Sequence, residues 1–183
     1  MLGFFSKLLG GSKSEKDVKT LSPIVDKINS FFVSYETISN DELRGKTAEF
    51  RLRIADYLKD IDEEIIATTK QAEELGSAEI NKKDELYQEV DKLKKDRDKK
   101  LEEILNEILP EAFATMKETA RRFSTNSELV STATSLDKDL SVKKNNIKIV
   151  GENSVYSNTW TAGGNEITWN MVHYDVQLIG GIV

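Results

Sequence analysis

The stretch "NDELRGKTAEFRLRIADYLKDIDEEI", Asn40–Ile65, decides the fold. Leu43, Phe50, Ile54, Leu58, Ile61 and Ile65 recur at spacings of three, four or seven. That period puts them on one face of an amphipathic helix. Ser39 or Asn40 can cap its start, and Asp41 and Glu42 fall in the first turn, where the helix dipole favours carboxylates. The pattern runs to about Leu75, where "LGS" supplies a stop. A second stripe begins near Ser77 and carries Leu86, Val90, Leu93, Leu101, Ile104 and Ile108, interrupted at Arg97. Two such stripes joined by a tight turn predict an antiparallel helical hairpin. Charge runs such as "KKDRDKK" (94–100) read as its solvated face.

Outward from the hairpin the chain is helical on both sides. Ser22 is a candidate N-cap, with Pro23 at the first helical position and Ile24, Val25, Ile28, Phe31 and Phe32 as the buried face. Pro110 opens a further helix, "PEAFATMKETARRF", with Ala112, Phe113, Met116 and Ala120 on one side and Met116 as a gap-filler. From Ser124 to Asn146 the Ser, Thr, Asp, Asn and Lys content predicts a loop or loosely ordered insertion. Period two then appears: "NIKIV" as a strand, and "SVYSNTW" and "EITW" flanking "TAGGN" as a β-hairpin. A Gly164-Asn165 turn would set Trp160 opposite Trp169 to pin that hairpin. The segment "MVHYDVQLIGGIV" (171–183) reads as partly helical and wholly buried, with Gly180-Gly181 allowing a close backbone approach.

Composition narrows the function classes. Of 183 residues, 38% are hydrophobic and 32% charged, the balance of a chain with a long solvated helical element. The net charge of -6 argues against nucleic acid as a partner. The absence of cysteine removes disulfides and thiolate metal sites, and a single histidine, His173, removes a His-rich one. No apolar run approaches the roughly 20 residues of a membrane span. Residues 1–10 place Leu2, Phe5 and Leu9 on one helical face, with Phe4 and Leu8 beside them. They read either as an interfacial membrane contact or as a helix docking on the body. The same end is not a secretion signal: no basic region precedes it, and Lys7 interrupts it. The chain is therefore expected to be cytoplasmic.

Chemical motifs are few. Gly45-Lys46-Thr47 matches the end of a phosphate-binding loop, but the required glycine five residues earlier is Asn40, and the segment sits inside a helix. It is not a P-loop. No carboxylate pair stands out, and His173 beside an apolar stretch reads as structural. Gln177 is different. Its planar amide offers an acceptor and two donors among Val176, Leu178 and Ile179. That pattern fits the adenine edge, which presents N7 as acceptor and the N6 amine as donor. Either the amide bonds backbone, which its chemistry alone favours, or a ligand completes it.

Three blocks carry a resemblance. "LSPIVDKINSFF…ISNDELRGKTAEFRLRI", "LPEAFATMKETARR" and "HYDVQLIGG", within 20–57, 108–123 and 171–183, resemble the N-terminal region of the SecA family of preprotein-translocating ATPases. The resemblance implies the start of a P-loop helicase-like motor domain within a mainly α fold. It implies an N-terminal amphipathic segment (1–19), motor-region helices (20–58 and 108–123) and an adenine-recognition segment (171–183). Residues 59–107 and 124–170 stand outside it as a helical-hairpin insertion and a loop and β-hairpin insertion. It implies ATP as cofactor, Gln177 as the adenine contact and Tyr174 as a weaker neighbour of the base. Phosphate and magnesium contacts would lie outside this stretch, so the stretch alone should not hydrolyse ATP. It also implies a membrane protein-conducting channel, preproteins and acidic phospholipid as partners, with Leu2, Phe4, Phe5, Leu8 and Leu9 as membrane contacts on the cytoplasmic face. The competing expectation is a non-enzymatic helical module that binds a protein or a membrane surface.

Overall fold

The computed structural model describes residues 13–183. The proposed membrane contacts Leu2, Phe4, Phe5, Leu8 and Leu9 lie outside them. Long helices dominate: α1 (Lys13–Ser34), α2 (Asn40–Glu74) and α3 (Ile80–Thr125), with the short α4 (Ser135–Lys143) and α5 (Asp175–Ile182). Five strands complete the described residues: β1 (Glu128–Thr132), β2 (Ile147–Val150), β3 (Asn153–Ser157), β4 (Thr159–Ala162) and β5 (Asn165–Thr168). The chain divides into two compact units. One joins residues up to Lys46 with Pro110–Val183, and the other is Thr47–Leu109.

The second unit is the expected helical hairpin. Arg53 bonds Glu107, Tyr57 bonds Glu103 and Arg97 bonds Asp62. Partner numbers fall as the others rise, so the two helices run antiparallel. Leu58, Ile61 and Ala72 from α2 and Val90, Ile104 and Ile108 from α3 are buried along the seam. A single 3-10 turn, Ser77–Glu79, closes the hairpin. The interruption at Arg97 has a physical reason. Its guanidinium reaches the Asp62 carboxylate at 2.5 Å, so a polar residue occupies the stripe without stranding a charge.

The first unit has an apolar centre of Val25, Ile28, Tyr35, Leu43, Ala114 and Leu178, with Phe31, Phe32 and Phe113 packed around it. Ser39 caps α2 as a reciprocal box: Glu42 N–H donates to Ser39 Oγ at 3.1 Å, and Ser39 N–H donates to Glu42 Oε2 at 2.7 Å. Two expected boundaries move. Ser22 and Pro23 lie inside α1 and Pro110 inside α3, so neither proline opens a helix. Proline fixes φ near the helical value, but it removes one ladder bond and crowds the carbonyl four residues back, a cost of about 3 kcal/mol that these helices absorb. Met116 is exposed; the buried positions around it are the apolar Ala114 and Ala120 and the charged Lys117 and Glu118.

The segment from Ser124 to Asn146 is ordered, contrary to expectation. It holds β1 and α4. Thr134 and Asp137 cap α4 reciprocally: Thr134 N–H donates to Asp137 Oδ2 at 2.7 Å, and Asp137 N–H reaches Thr134 Oγ1 at 3.4 Å. The strands form a three-stranded antiparallel sheet, order β1-β3-β2, and a separate β4-β5 hairpin. "SVYSNTW" is thus not one strand. It breaks at Asn158, and its first half pairs with β1 and β2. The β4-β5 turn is Gly163-Gly164, with φ of 58° and 83°. A two-residue turn with positive φ at both positions is the type I′ form, which glycine adopts without steric cost. Trp160 therefore faces Ile167, and Trp169 sits diagonally from it with ring centroids 6.2 Å apart.

Candidate functional site

The site predicted from sequence is the start of α5. Tyr174 is its extended N-cap residue, and Asp175 follows in the first turn, where a carboxylate suits the dipole. Gln177 folds back on this turn. Its Oε1 accepts the Tyr174 N–H at 2.9 Å, so the amide bonds backbone, as its chemistry alone favours. An N–H can only donate, so this bond also settles which amide atom is oxygen.

Burial departs from expectation. Leu178 is 3% exposed and seats α5 in the apolar centre, with Ile179 and Ile182 partly covered. Tyr174 is 73% exposed, Val176 is 72% exposed, and Gln177 is exposed too. A two-turn helix lying on a surface buries one stripe, and the other residues face outward. The close approach expected at the double glycine belongs to Gly181. A Cβ there would stand 3.0 Å from Phe113 Cε1, whereas Gly180 has open space.

Polar contacts hold the approach to α5. Trp169 Nε1 donates to Ala120 O at 3.1 Å and to Met171 O at 2.8 Å. Lys117, with its side chain 10% exposed, donates from Nζ to Asn29 Oδ1 at 2.7 Å and reaches Asp175 Oδ1 at 3.4 Å. Asn29 Nδ2 donates to the same Asp175 oxygen at 3.2 Å. Sequence reasoning missed this network. Its signal was a lysine four residues after Phe113 and three before Ala120, on an otherwise apolar stripe.

The other sequence candidates lie elsewhere in the fold. Gly45-Lys46-Thr47 is helical within α2, with Lys46 Nζ 5.5 Å above the Tyr35 ring. His173 lines a cavity of about 250 Å³ with Trp160, Trp169, Phe123 and Met116, and its Nδ1 is buried without a hydrogen-bond partner. Neither that cavity nor a larger groove of about 900 Å³ beside β2 and β3 includes Gln177 or Tyr174. Among the described residues no group of three His, Asp or Glu side chains could hold a metal ion. No described helix is long and apolar enough to cross a membrane.

The "DELRG" stretch has a defined task. Asp41 accepts the N–H and Oγ1–H of Thr132, both at 2.8 Å, and Asn40 Nδ2 donates to Val130 O at 2.9 Å. These bonds cap the outer edge of β1. Arg44 reaches past them to the buried Asp137 at 2.6 Å, where Tyr156 Oη also donates. Burial alone would raise the Asp137 carboxyl, but hydrogen bonds from Arg44, Tyr156 and Thr134 outweigh it and hold the group well below the usual carboxylate range. Burial and the bond to Asp137 push Tyr156 up to about 12. A second buried carboxylate, Glu118, is treated the same way. Burial would raise it, but bonds from Arg121 and Arg122 lower it. Arg122 then donates to Asn40 Oδ1 and to the carbonyls of Tyr35 and Ile38, tying the corner between α1 and α2 to α3.

Comparison with known proteins bears out the family resemblance. The family described as the SecA DEAD-like domain matches residues 58–183. A protein translocase subunit SecA of Christiangramia forsetii is 46% identical over 176 residues, which cover 96% of this chain and 16% of that protein. One from Porphyromonas gingivalis is 48% identical over 180 residues, 98% of this chain and 16% of that protein. One from Cytophaga hutchinsonii is 40% identical across the whole chain. The chain spans about 16% of the length of these curated relatives. No solved structure matches it.

Proposed function

The chain belongs to the SecA family, and from that premise we propose that it forms part of an ATP-driven preprotein translocase in which Gln177 reads the adenine of ATP. The observation that carries this reading is the state of the Gln177 amide. Its oxygen is pinned by the Tyr174 N–H, and the side chain is exposed at the start of α5. The pinned oxygen keeps a second lone pair for the adenine N6 amine, and Nε2 keeps donors for N7. This donor set fits the base. Tyr174, exposed beside it, offers an aromatic ring to the base face. Other parts of the protein would cover the rest of the nucleotide and supply the phosphate and magnesium contacts. ATP hydrolysis supplies the free energy that drives transport. The residues of this chain bind and orient only the base.

Preproteins, a membrane channel and an acidic lipid surface follow as partners of such a translocase. It would work at the cytoplasmic face of the membrane, with Leu2, Phe4, Phe5, Leu8 and Leu9 entering the interface. A second reading, a helical module that binds a protein partner, draws on the hairpin. Leu52 and Ile66 on α2 and Leu105 on α3 are large apolar residues left exposed there.

Gln177→Ala in the full-length encoded protein tests the adenine contact. Losing two hydrogen bonds should weaken ATP by roughly tenfold. Guanine presents an acceptor where adenine presents N6, so GTP should weaken far less. Competition between the two nucleotides gives the preference directly. A preference for ATP that survives the substitution rules out this role for Gln177.

A further inference from the structure

We propose that Lys117 is a positioning residue for the adenine contact: it does not touch the base, but it fixes the turn that aims Gln177. The inference rests on the reading of Gln177 given above. Helix α5 has 8 residues, too few to hold its own pose in water. Its contacts with the body must therefore set its direction. Leu178 in the apolar centre and Gly181 against Phe113 fix how closely it lies. Apolar contacts are not directional, and they leave rotation about the helix axis weakly determined.

The directional tether is at the other end. Asp175 takes hydrogen bonds from Asn29 on α1 and Lys117 on α3 at 3.2 and 3.4 Å. Lys117 itself is 8% exposed, bonded to Asn29 Oδ1, and sits 5.1 Å from the centre of the Phe32 ring. A buried ammonium is costly unless fully partnered, so this one holds its partners in place. Asp175 follows Tyr174, whose N–H sets the Gln177 oxygen, and lies two residues before Gln177. Moving Asp175 therefore turns the amide that meets the base. Three helices converge on the three polar side chains of this tether, and each has its partner in it.

The test compares Lys117→Met, Lys117→Arg and Gln177→Ala in the full-length encoded protein, reading KM for ATP and for GTP. Lys117→Met keeps the length of the side chain and removes the charge. It should raise KM for ATP about fivefold and leave KM for GTP in place, narrowing the preference. Lys117→Arg should restore most of it. A general structural defect would instead raise both constants together, and that result overturns the proposal. If Gln177→Ala abolishes the preference and Lys117→Met leaves it intact, the positioning role is wrong and the adenine contact stands. If Gln177→Ala leaves it intact, the adenine contact fails, and the positioning role falls with it. Should Lys117→Met fail to fold, Asp175→Asn replaces it, since that carboxylate is 59% exposed. A narrowed preference supports the tether, and an unchanged one overturns it.

Discussion

At the scale of the residue, Asp137 shows what a buried carboxylate does when it is fully partnered. It is 0% exposed, and Arg44, Tyr156 and Thr134 all donate to it. Its carboxyl titrates below the usual range when folded, so the folded state binds its proton less readily than the unfolded chain does. Its stabilising contribution is therefore complete above the unfolded value of about 4 and is lost as pH falls below it. Tyr156 works in the opposite direction. Raised to about 12, it contributes fully up to the unfolded value of about 10 and loses that contribution between the two. We predict that urea midpoints measured from pH 7 down to 3 will fall steeply below about pH 4. Asp137→Asn should lower the midpoint at pH 7 and flatten the acid slope. An unchanged slope would show that other carboxylates, Glu118 foremost, carry the acid dependence.

At the scale of the element, the hairpin of α2 and α3 separates apolar seam from polar decoration. Ile104 is 4% exposed on the seam, whereas Arg97 and Asp62 keep about a third or more of their side chains in water. Truncating a buried isoleucine removes its burial and leaves a cavity, so Ile104→Ala should cost about 2–5 kcal/mol. Arg97→Ala breaks a solvent-screened pair and should cost less than about 1 kcal/mol. Urea denaturation followed by helical circular dichroism compares the two. Equal costs would mean that the Arg97–Asp62 pair, not the apolar seam, holds the helices together. The stripe on each helix was legible because the 3.6-residue period is local. The β elements were less so. The turn slipped by one position because Gly163 and Gly164 both take positive φ, which moves Trp169 from facing Trp160 to a diagonal. The capping box at Thr134 and Asp137 was present in "TSLD" and marks α4, but the polar composition around it read as a loop.

At the scale of the whole molecule, the formal charge of -6 is spread over 183 residues, and screening beyond about 10 Å leaves local charge to act at a membrane surface. Lys7 is the one charged side chain among the first ten residues. A contact made by Leu2, Phe4, Phe5, Leu8 and Leu9 must then be mainly apolar. Flotation with anionic vesicles should show binding that depends on residues 1–10. That binding should change little between about 0.05 and 0.5 M salt, because apolar burial is not screened. Binding lost at high salt would point to an electrostatic contact elsewhere. Binding that survives deletion of residues 1–10 would remove this contact altogether.

The sequence by itself determined the helical stripes, the capped start of α2, the hairpin turn near Gly76 and the family blocks around Gln177. Each of these is written in residues close together along the chain, where spacing and local hydrogen bonding act directly. Even the backbone bond of Gln177 spans only three residues and follows from its amide chemistry. The tertiary structure alone decided that β3 lies between β1 and β2, and that α3 passes unbroken through Pro110. It alone brought Asn29, Lys117 and Asp175 together, and Arg44 to Asp137. These partners are 58 to 146 residues apart. Desolvation and charge pairing act through space, so which charges are buried together is set by the packing of α1, α3, α5 and the sheet, and no period along the chain records it.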